Sequence, residues 1–138
     1  ALPDMRAKRR GWILNISSAT AVHPKGPPFD DFARHGGALV YGMTKAAPDR
    51  FSVGLAAECA ADGVVVNSLS PVAAVATPGV VALGMLPEGR PELIEPMEVM
   101  VDAAVALCAG DLTGRVAYSR PLLAELGRAV RGLDGRPL

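Results

Sequence analysis

The sequence predicts an α/β protein: about three parallel strands with crossover helices, reading as one half of a doubly wound parallel sheet. Three observations carry that expectation. WILNIS from Trp12, VVVNSLS from Val64 and RVAYS from Arg115 are short apolar runs bounded by glycine and turn residues, the pattern of strands buried on both faces. Between them lie segments of helical periodicity, each long enough to carry the chain back for a parallel pairing. Half of the 138 residues are hydrophobic and only 4% are aromatic, so a core of one domain must be built from Ala, Val, Leu and Met.

The elements follow in order. The basic cluster RAKRR stands just before Gly11. Cations suit the last turn of a helix, where they oppose the negative end of the macrodipole, and Gly11 suits the left-handed residue that closes it. That explanation is preferred to nucleic-acid binding, and it places the body of the helix upstream of residue 1. WILNIS is the first strand, and it leaves an exposed apolar edge unless something pairs with it. SSATAVHPKGPPFDDFARHGG is rich in turn residues and is expected to be a loop. The next segment, ALVYGMTKAAPDRFSVGLAAECAADG, is helical. Val40, Met43, Ala47, Phe51, Leu55 and Cys59 form its expected apolar stripe, and Gly63 closes it.

Pro48 interrupts this pattern. A proline inside a helix removes the bond to the carbonyl four residues back, here Thr44, at a cost of about 3 kcal/mol. The expected result is a kink just past Lys45, or a fresh helix beginning at Pro48. Either would leave the turn from Tyr41 to Lys45 less firmly held.

VVVNSLS is the second strand, followed by an apolar tract from Pro71 to about Glu92, punctuated by proline and glycine. A helix is expected from Pro96, a residue that suits the first helical position. Its apolar stripe reads Met97, Met100, Val101, Ala104, Val105 and Cys108. Asp111 to Gly114 turn the chain into RVAYS, and RPLLAELGRAVRGLDGRPL offers one short amphipathic helix and a polar end. There is no internal repeat.

Composition narrows the function. Fourteen basic residues balance fourteen acidic ones, so nothing marks a nucleic-acid footprint or an anionic membrane surface. Cys59 and Cys108 belong to no metal-binding or redox motif and read as two buried, reduced thiols in a reducing compartment. Charges precede any apolar run at the start, and the longest apolar tract carries prolines and glycines. A soluble, cytoplasmic protein is expected. His23, Asp30, Asp31 and His35 lack tight ligand spacing, so they are assigned to a solvated loop and no metal is expected.

One constellation carries chemistry. Ser17 and Ser18 stand where the first strand ends, and ligands of open α/β sheets gather outside the carboxyl ends of strands. Tyr41 and Lys45 are one helical turn apart on one face. A phenol with an ordinary pKa of about 10 is a poor base at neutral pH, and an ammonium one turn away favours its phenolate. Tyrosine, lysine and a hydroxyl donor can together move a proton to or from a carbinol oxygen. The Y-x-x-x-K spacing alone is a weak signal.

WILNISSAT, YGMTKAA, VVVNSLSPVAAVATP and LTGRVAYS, in this order, resemble the short-chain dehydrogenase/reductase family from about Gly11 to Ser119. The resemblance implies an NAD(P)-dependent oxidoreductase on a partial Rossmann fold. By the same resemblance, Tyr41 is the general acid/base. Lys45 tunes it and binds the nicotinamide ribose, and Ser18, rather than Ser17, holds the substrate oxygen. Tyr41, Lys45, Pro71, Val72, Val75 and Thr77 would contact NAD or NADP, with hydride passing between the nicotinamide and a carbonyl or alcohol substrate. Residues 71–95 would form a lid within this single domain, and its apolar character favours a lipophilic substrate. The full-length form is expected to be a homo-oligomer.

The match has departures. The family's glycine-rich strand-to-helix turn is absent from the sequence. So are the residue that selects NAD or NADP and the asparagine that completes the family's tetrad. The segment between Ser18 and Tyr41 is longer than the family's usual one. Val72 stands in place of a glycine, PVAAVATP is one residue longer than the family's common form, and RPLLAEL replaces a glycine-rich ending. The 138-residue chain alone is expected to bind dinucleotide poorly and to turn over nothing. The alternative is a truncated, non-catalytic fragment or pseudoenzyme acting through strand-edge or helix-mediated association.

Overall fold

The computed structural model describes residues 1–132 and 134–137. In chain order its elements are α1 (Leu2–Lys8), β1 (Gly11–Ile16), α2 (Asp31–His35), α3 (Leu39–Glu58), β2 (Val64–Ser70) and β3 (Ala74–Val75). They continue through α4 (Pro78–Ala82), β4 (Ile94–Glu95), α5 (Met97–Ala109), β5 (Val116–Tyr118) and α6 (Ser119–Glu125). Strands β1, β2 and β5 form a parallel sheet in the order β1-β2-β5. The register pairs Gly11 with Val64 through Ile16 with Leu69, and Ser68 with Val116 through Ser70 with Tyr118. The three-stranded α/β expectation is borne out. A second, two-stranded parallel sheet, β3 with β4, was not expected and lies within the 71–95 segment.

Alternate residues of β2 face opposite layers, as the period of a strand requires. Val64 and Val66 pack with Ala56 of α3, with Cys59 at its carboxyl cap and with Ile13. Leu69 and Ala117 pack on the other face with Val99, Ala103 and Leu107 of α5 and with Leu122 and Leu123 of α6. Asn67 is almost fully buried, and its side chain shows why VNSLS and LTG belong together. Its amide donates to the Leu112 carbonyl at 2.6 Å and accepts from the Arg115 amide at 3.0 Å. Thr113 and Gly114 bond the Val66 backbone as well, so the turn is sewn onto β2 just before β5 begins.

Several expectations are corrected. Helix α1 ends at Lys8, and the left-handed residue is Arg9, with φ 49°, not Gly11, which opens β1. The Arg9 guanidinium is held by the Ala61 carbonyl at 2.9 Å, and Arg10 lies over the Trp12 ring. Glycine is instead demanded at Gly63, where φ is +70° and a Cβ would collide with the Arg9 carbonyl. The expected loop after Ser18 contains a 3-10 turn, Ala19–Ala21, and helix α2, whose N-cap Asp30 accepts from the Ala33 amide at 2.7 Å. Asp31 and His35 lie in the first and last turns of α2.

Both long helices bury a stripe that only partly matches the one expected: Leu55, Cys59, Met100 and Ala104 do pack in or against the core. In α5 the inward face is Val99, Ala103, Ala106 and Leu107, while Val101 and Val105 are exposed. Cys108, one step round from Leu107, is therefore exposed, and only Cys59 is buried. Small alanines, which let the helix approach the sheet closely, mark this face more than residue size does. In α3 the buried residues are Gly42, Ser52 and Ala56, while Val40, Met43 and Phe51 are exposed.

Pro48 does not divide α3, which runs from Leu39 to Glu58 without interruption. No new helix begins there. The reason is tertiary: Ser17 Oγ donates to the Lys45 carbonyl at 2.8 Å, Asn15 Nδ2 to Ser52 Oγ at 2.9 Å, and Ser68 Oγ to Asp49 Oδ1 at 2.6 Å. These bonds flank the one that proline removes, each contributing about 1 kcal/mol. The polar end expected of the tail includes Leu133 and Leu138, which lie outside the described residues.

Candidate functional site

The carboxyl ends of β1 and β2 and the first turns of α3 meet at one end of the sheet. Backbone pairing continues past β1, since the Ser17 amide donates to the Leu69 carbonyl at 2.9 Å. Lys45 Nζ reaches back to the Ile16 carbonyl at 3.0 Å and lies 5.7 Å from the centre of the Tyr41 ring. The helix therefore presents Tyr41 and Lys45 together beside the end of β1. Tyr41 is 52% exposed, so its phenol is open to a ligand.

The two serines have different hydrogen-bond duties. Ser17 is buried, and its hydroxyl proton is spent on the Lys45 carbonyl. Ser18 caps the 3-10 turn: Oγ accepts from the Thr20 amide at 3.2 Å and from Thr20 Oγ1 at 3.0 Å. A serine hydroxyl has one donor and two acceptor positions. With Thr20 Oγ1 as the donor, both acceptor positions of Ser18 are filled, and no described residue takes its proton. Lys45 likewise has three donors and commits one to Ile16.

Gly42 brings the segment after Ser18 against α3. A Cβ there would lie 2.5 Å from the Thr20 carbonyl oxygen, so only glycine allows this approach. Between that segment and α3 lies a cavity of about 580 Å³, lined by Thr20, Val22, Phe32, Leu39 and Met43 among others. Among the described residues no group of three His, Cys, Asp or Glu side chains is placed to hold a metal ion.

The remaining expected contacts sit in the segment after β2. Pro71 is half-buried and Val72 is 38% exposed, and the Val72 amide donates to Glu95 Oε2 at 3.2 Å. Val75 pairs with Glu95 in the β3–β4 ladder, and its carbonyl accepts from the Thr77 amide at 2.7 Å. Thr77 Oγ1 caps α4 by accepting from the Val80 amide, which leaves the threonine proton free.

Two acidic residues were missed. Asp49, one turn beyond Lys45, accepts from Ser68 inside the helix–sheet interface. Burial, and secondarily the charge of Asp49, raises the Tyr118 pKa above the ordinary phenol value. Glu95 is fully buried and bonded to Ser119 and Val72. Its only mark in the sequence is a lone carboxylate, in LIEP, next to apolar residues. Ser70 Oγ, at the end of β2, is a buried hydroxyl without a hydrogen-bond partner among the described residues.

No protein-family profile matches the chain. A very-long-chain 3-oxoacyl-CoA reductase of Danio rerio is 39% identical over 70 residues, which is 51% of this chain and 19% of that protein. Among solved structures, a short-chain dehydrogenase/reductase family protein superposes with a TM-score of 0.63 and 32% identity, over 84% of this chain and 46% of the other. A Beutenbergia cavernae protein solved with NADP at low occupancy gives 0.63 and 28%, over 85% of this chain and 47% of its own. The parallel sheet and helices described above are those of a partial Rossmann fold. In sequence and fold the chain resembles part of the short-chain dehydrogenase/reductase proteins. It spans just under half the length of the two solved structures and a fifth of the Danio rerio reductase.

Proposed function

We propose that the protein containing this chain is an NAD(P)-dependent oxidoreductase that interconverts a lipophilic carbonyl compound and its alcohol. The observation that carries this reading is the hydrogen-bond inventory at the end of β1. Ser18 retains a free hydroxyl proton beside a helix that presents Tyr41 and Lys45 together. Ser18 donates to the substrate oxygen and holds it. Tyr41 gives that oxygen a proton during reduction and takes it back during oxidation. Lys45, anchored on Ile16, keeps two donors for the ribose hydroxyls.

The residues present fit the nicotinamide end of NAD(P). Lys45 has donors to spare, Thr77 has a free proton, and Pro71, Val72 and Val75 lie just past the carboxyl end of β2. Nothing in the sequence offers the glycine-rich turn that would hold the pyrophosphate. When bound, the nicotinamide supplies or accepts the hydride. Residues 71–95 cover the substrate, and their apolar side chains favour a lipophilic one. The name of the Danio rerio relative, a 3-oxoacyl-CoA reductase, supports that substrate class. A NADP-bound neighbour supports the cofactor.

The test pairs two proteins. Where the chain is joined to a glycine-rich dinucleotide-binding segment, Tyr41→Phe should lower carbonyl reduction by about 10²–10⁴-fold, the range of general acid–base catalysis. NADPH affinity should stay nearly unchanged. Full activity in that variant ends the proposal. In the 138-residue chain alone, NADPH fluorescence should show no saturable binding. A second reading, association through an apolar surface without catalysis, is favoured by one observation: Leu39, Val40, Met43, Phe51 and Val53 of α3 are exposed.

A further inference from the structure

Glu95 has no part in the scheme above, yet it is fully buried, a rare state for a carboxyl group unless hydrogen bonds and charges offset the loss of water. Its partners come from three places. Ser119 Oγ, at the start of α6, lies 2.7 and 2.9 Å from its two oxygens. The Val72 amide donates to Oε2 at 3.2 Å, and Arg120 Nε stands 3.6 Å from the same oxygen. The backbone of Glu95 meanwhile pairs with Val75 in the β3–β4 ladder.

One residue thus grips the segment after Pro71 at both ends. Its side chain holds Val72 and its main chain holds Val75, while Ser119 fixes the carboxyl group to the β5–α6 junction. That junction is well anchored. Ser119 is fully buried, and Ala117, Leu122 and Leu123 around it belong to the core. The two-residue ladder of β3 and β4 is too short to define the segment's path alone. Cutting the side-chain link leaves Ser119 and Val72 with unsatisfied donors, which is costly inside a protein.

We infer that Glu95 is a positioning residue: its carboxyl group ties the Val72–Val75 segment to the start of α6 and so fixes the backbone proposed above to contact the cofactor. The consequence for the cofactor rests on the function proposed above. The clamp itself does not, and can be tested without any cofactor.

The test is residue-resolved amide hydrogen exchange on the 138-residue chain. In Glu95→Ala, exchange at Val72, Ala74 and Val75 should accelerate at least about tenfold, corresponding to about 1.4 kcal/mol of lost local protection. Val66 and Leu69, in the body of β2, should keep their rates. Glu95→Gln retains one acceptor oxygen of the same reach and should restore most of the protection. A merely structural loss would accelerate β2 equally, and that outcome overturns the proposal. So does an unchanged rate at Val75. If Glu95→Ala does not fold, Ser119→Ala decides: it removes the anchor and leaves the segment's own sequence intact. Accelerated exchange at Val72 and Val75 supports the clamp, and wild-type rates there refute it. Since these rates are read without NADPH, a failure of the oxidoreductase reading leaves their meaning intact.

Discussion

Replacing Pro48 with alanine should stabilise the fold, because α3 continues through the proline and carries its penalty as one missing hydrogen bond. The bond that returns is the one from residue 48 to the Thr44 carbonyl, in a helix that already runs unbroken from Leu39 to Glu58. A proline in a helix interior costs about 3 kcal/mol relative to alanine. Against that gain, the unfolded chain recovers backbone freedom, worth about 0.4–1 kcal/mol. The net stabilisation is about 2 kcal/mol. For 138 residues the entropy of unfolding is about 0.3 kcal/mol per kelvin, so Tm should rise by about 7 °C. Circular-dichroism melting of the two proteins, with urea unfolding to check that the m-value is unchanged, measures this. A Tm that is unchanged or lower refutes the reasoning. It would mean that the helix has adapted to the proline through Ser17 and its neighbours so fully that no penalty is left to relieve. A double-mutant cycle separates the two cases. Ser17→Ala should cost more when Pro48 is present than when it is replaced, because the Ser17 bond to the Lys45 carbonyl then supports a weakened turn.

Tyr118 gives a prediction in pH. Its raised pKa means that, above about pH 10, where an unfolded tyrosine ionises, the unfolded chain holds fewer protons than the folded one. Stability should therefore be complete below that pH and fall as pH rises through the folded value. In a Tyr41→Phe background, ultraviolet absorbance reads Tyr118 alone, since the chain has two tyrosines. There Asp49→Asn should bring the midpoint down in part, because burial is the larger cause; a midpoint that does not move would exclude Asp49 from the effect. The exposed apolar row on α3 and the open edge of β1 should make the isolated chain self-associate, with a sedimentation coefficient that rises with concentration. A concentration-independent monomer would count against association as its role.

What was legible in the sequence follows from how strongly each signal is local. Strands such as VVVNSLS are buried on both faces, so an apolar run with its bounding glycine fixes them almost to the residue, Val64–Ser70. The helix bodies were legible too, but their inward faces only in part. Size was the guide to burial, and both long helices approach the sheet through small residues, Ser52 and Ala56 in α3, Ala103 and Ala106 in α5. Tyr41, Lys45 and Ser18 were picked out because motif order supports spacing, and they do lie around the end of β1. Asp49 and Glu95 escaped notice since their partners, Ser68 and Ser119, are 19 and 24 positions away in sequence. No local pattern announces a pairing made by the fold.

The polar seam between α3 and the sheet ties these observations together. Going toward the carboxyl ends of the strands, the face that α3 covers changes from Ile13, Val64 and Val66 to Asn15, Ser17, Ser68 and Ser70. The helix changes in step, from Ala56 and Cys59 to Ser52, Asp49 and Lys45. A core of aliphatic contacts would hold the helix at least as strongly, but it would let the helix slide or rotate, because apolar contacts are non-directional. Hydrogen bonds at set distances fix its rotation, and with it the direction in which Tyr41 points. The same substitution of polar for apolar packing leaves the large side chains of α3, Val40, Met43 and Phe51, without a place on the sheet. Their exposure is thus the physical counterpart of an orienting interface: the helix face that fixes the reactive side chains is too polar to carry the helix's own hydrophobic surface.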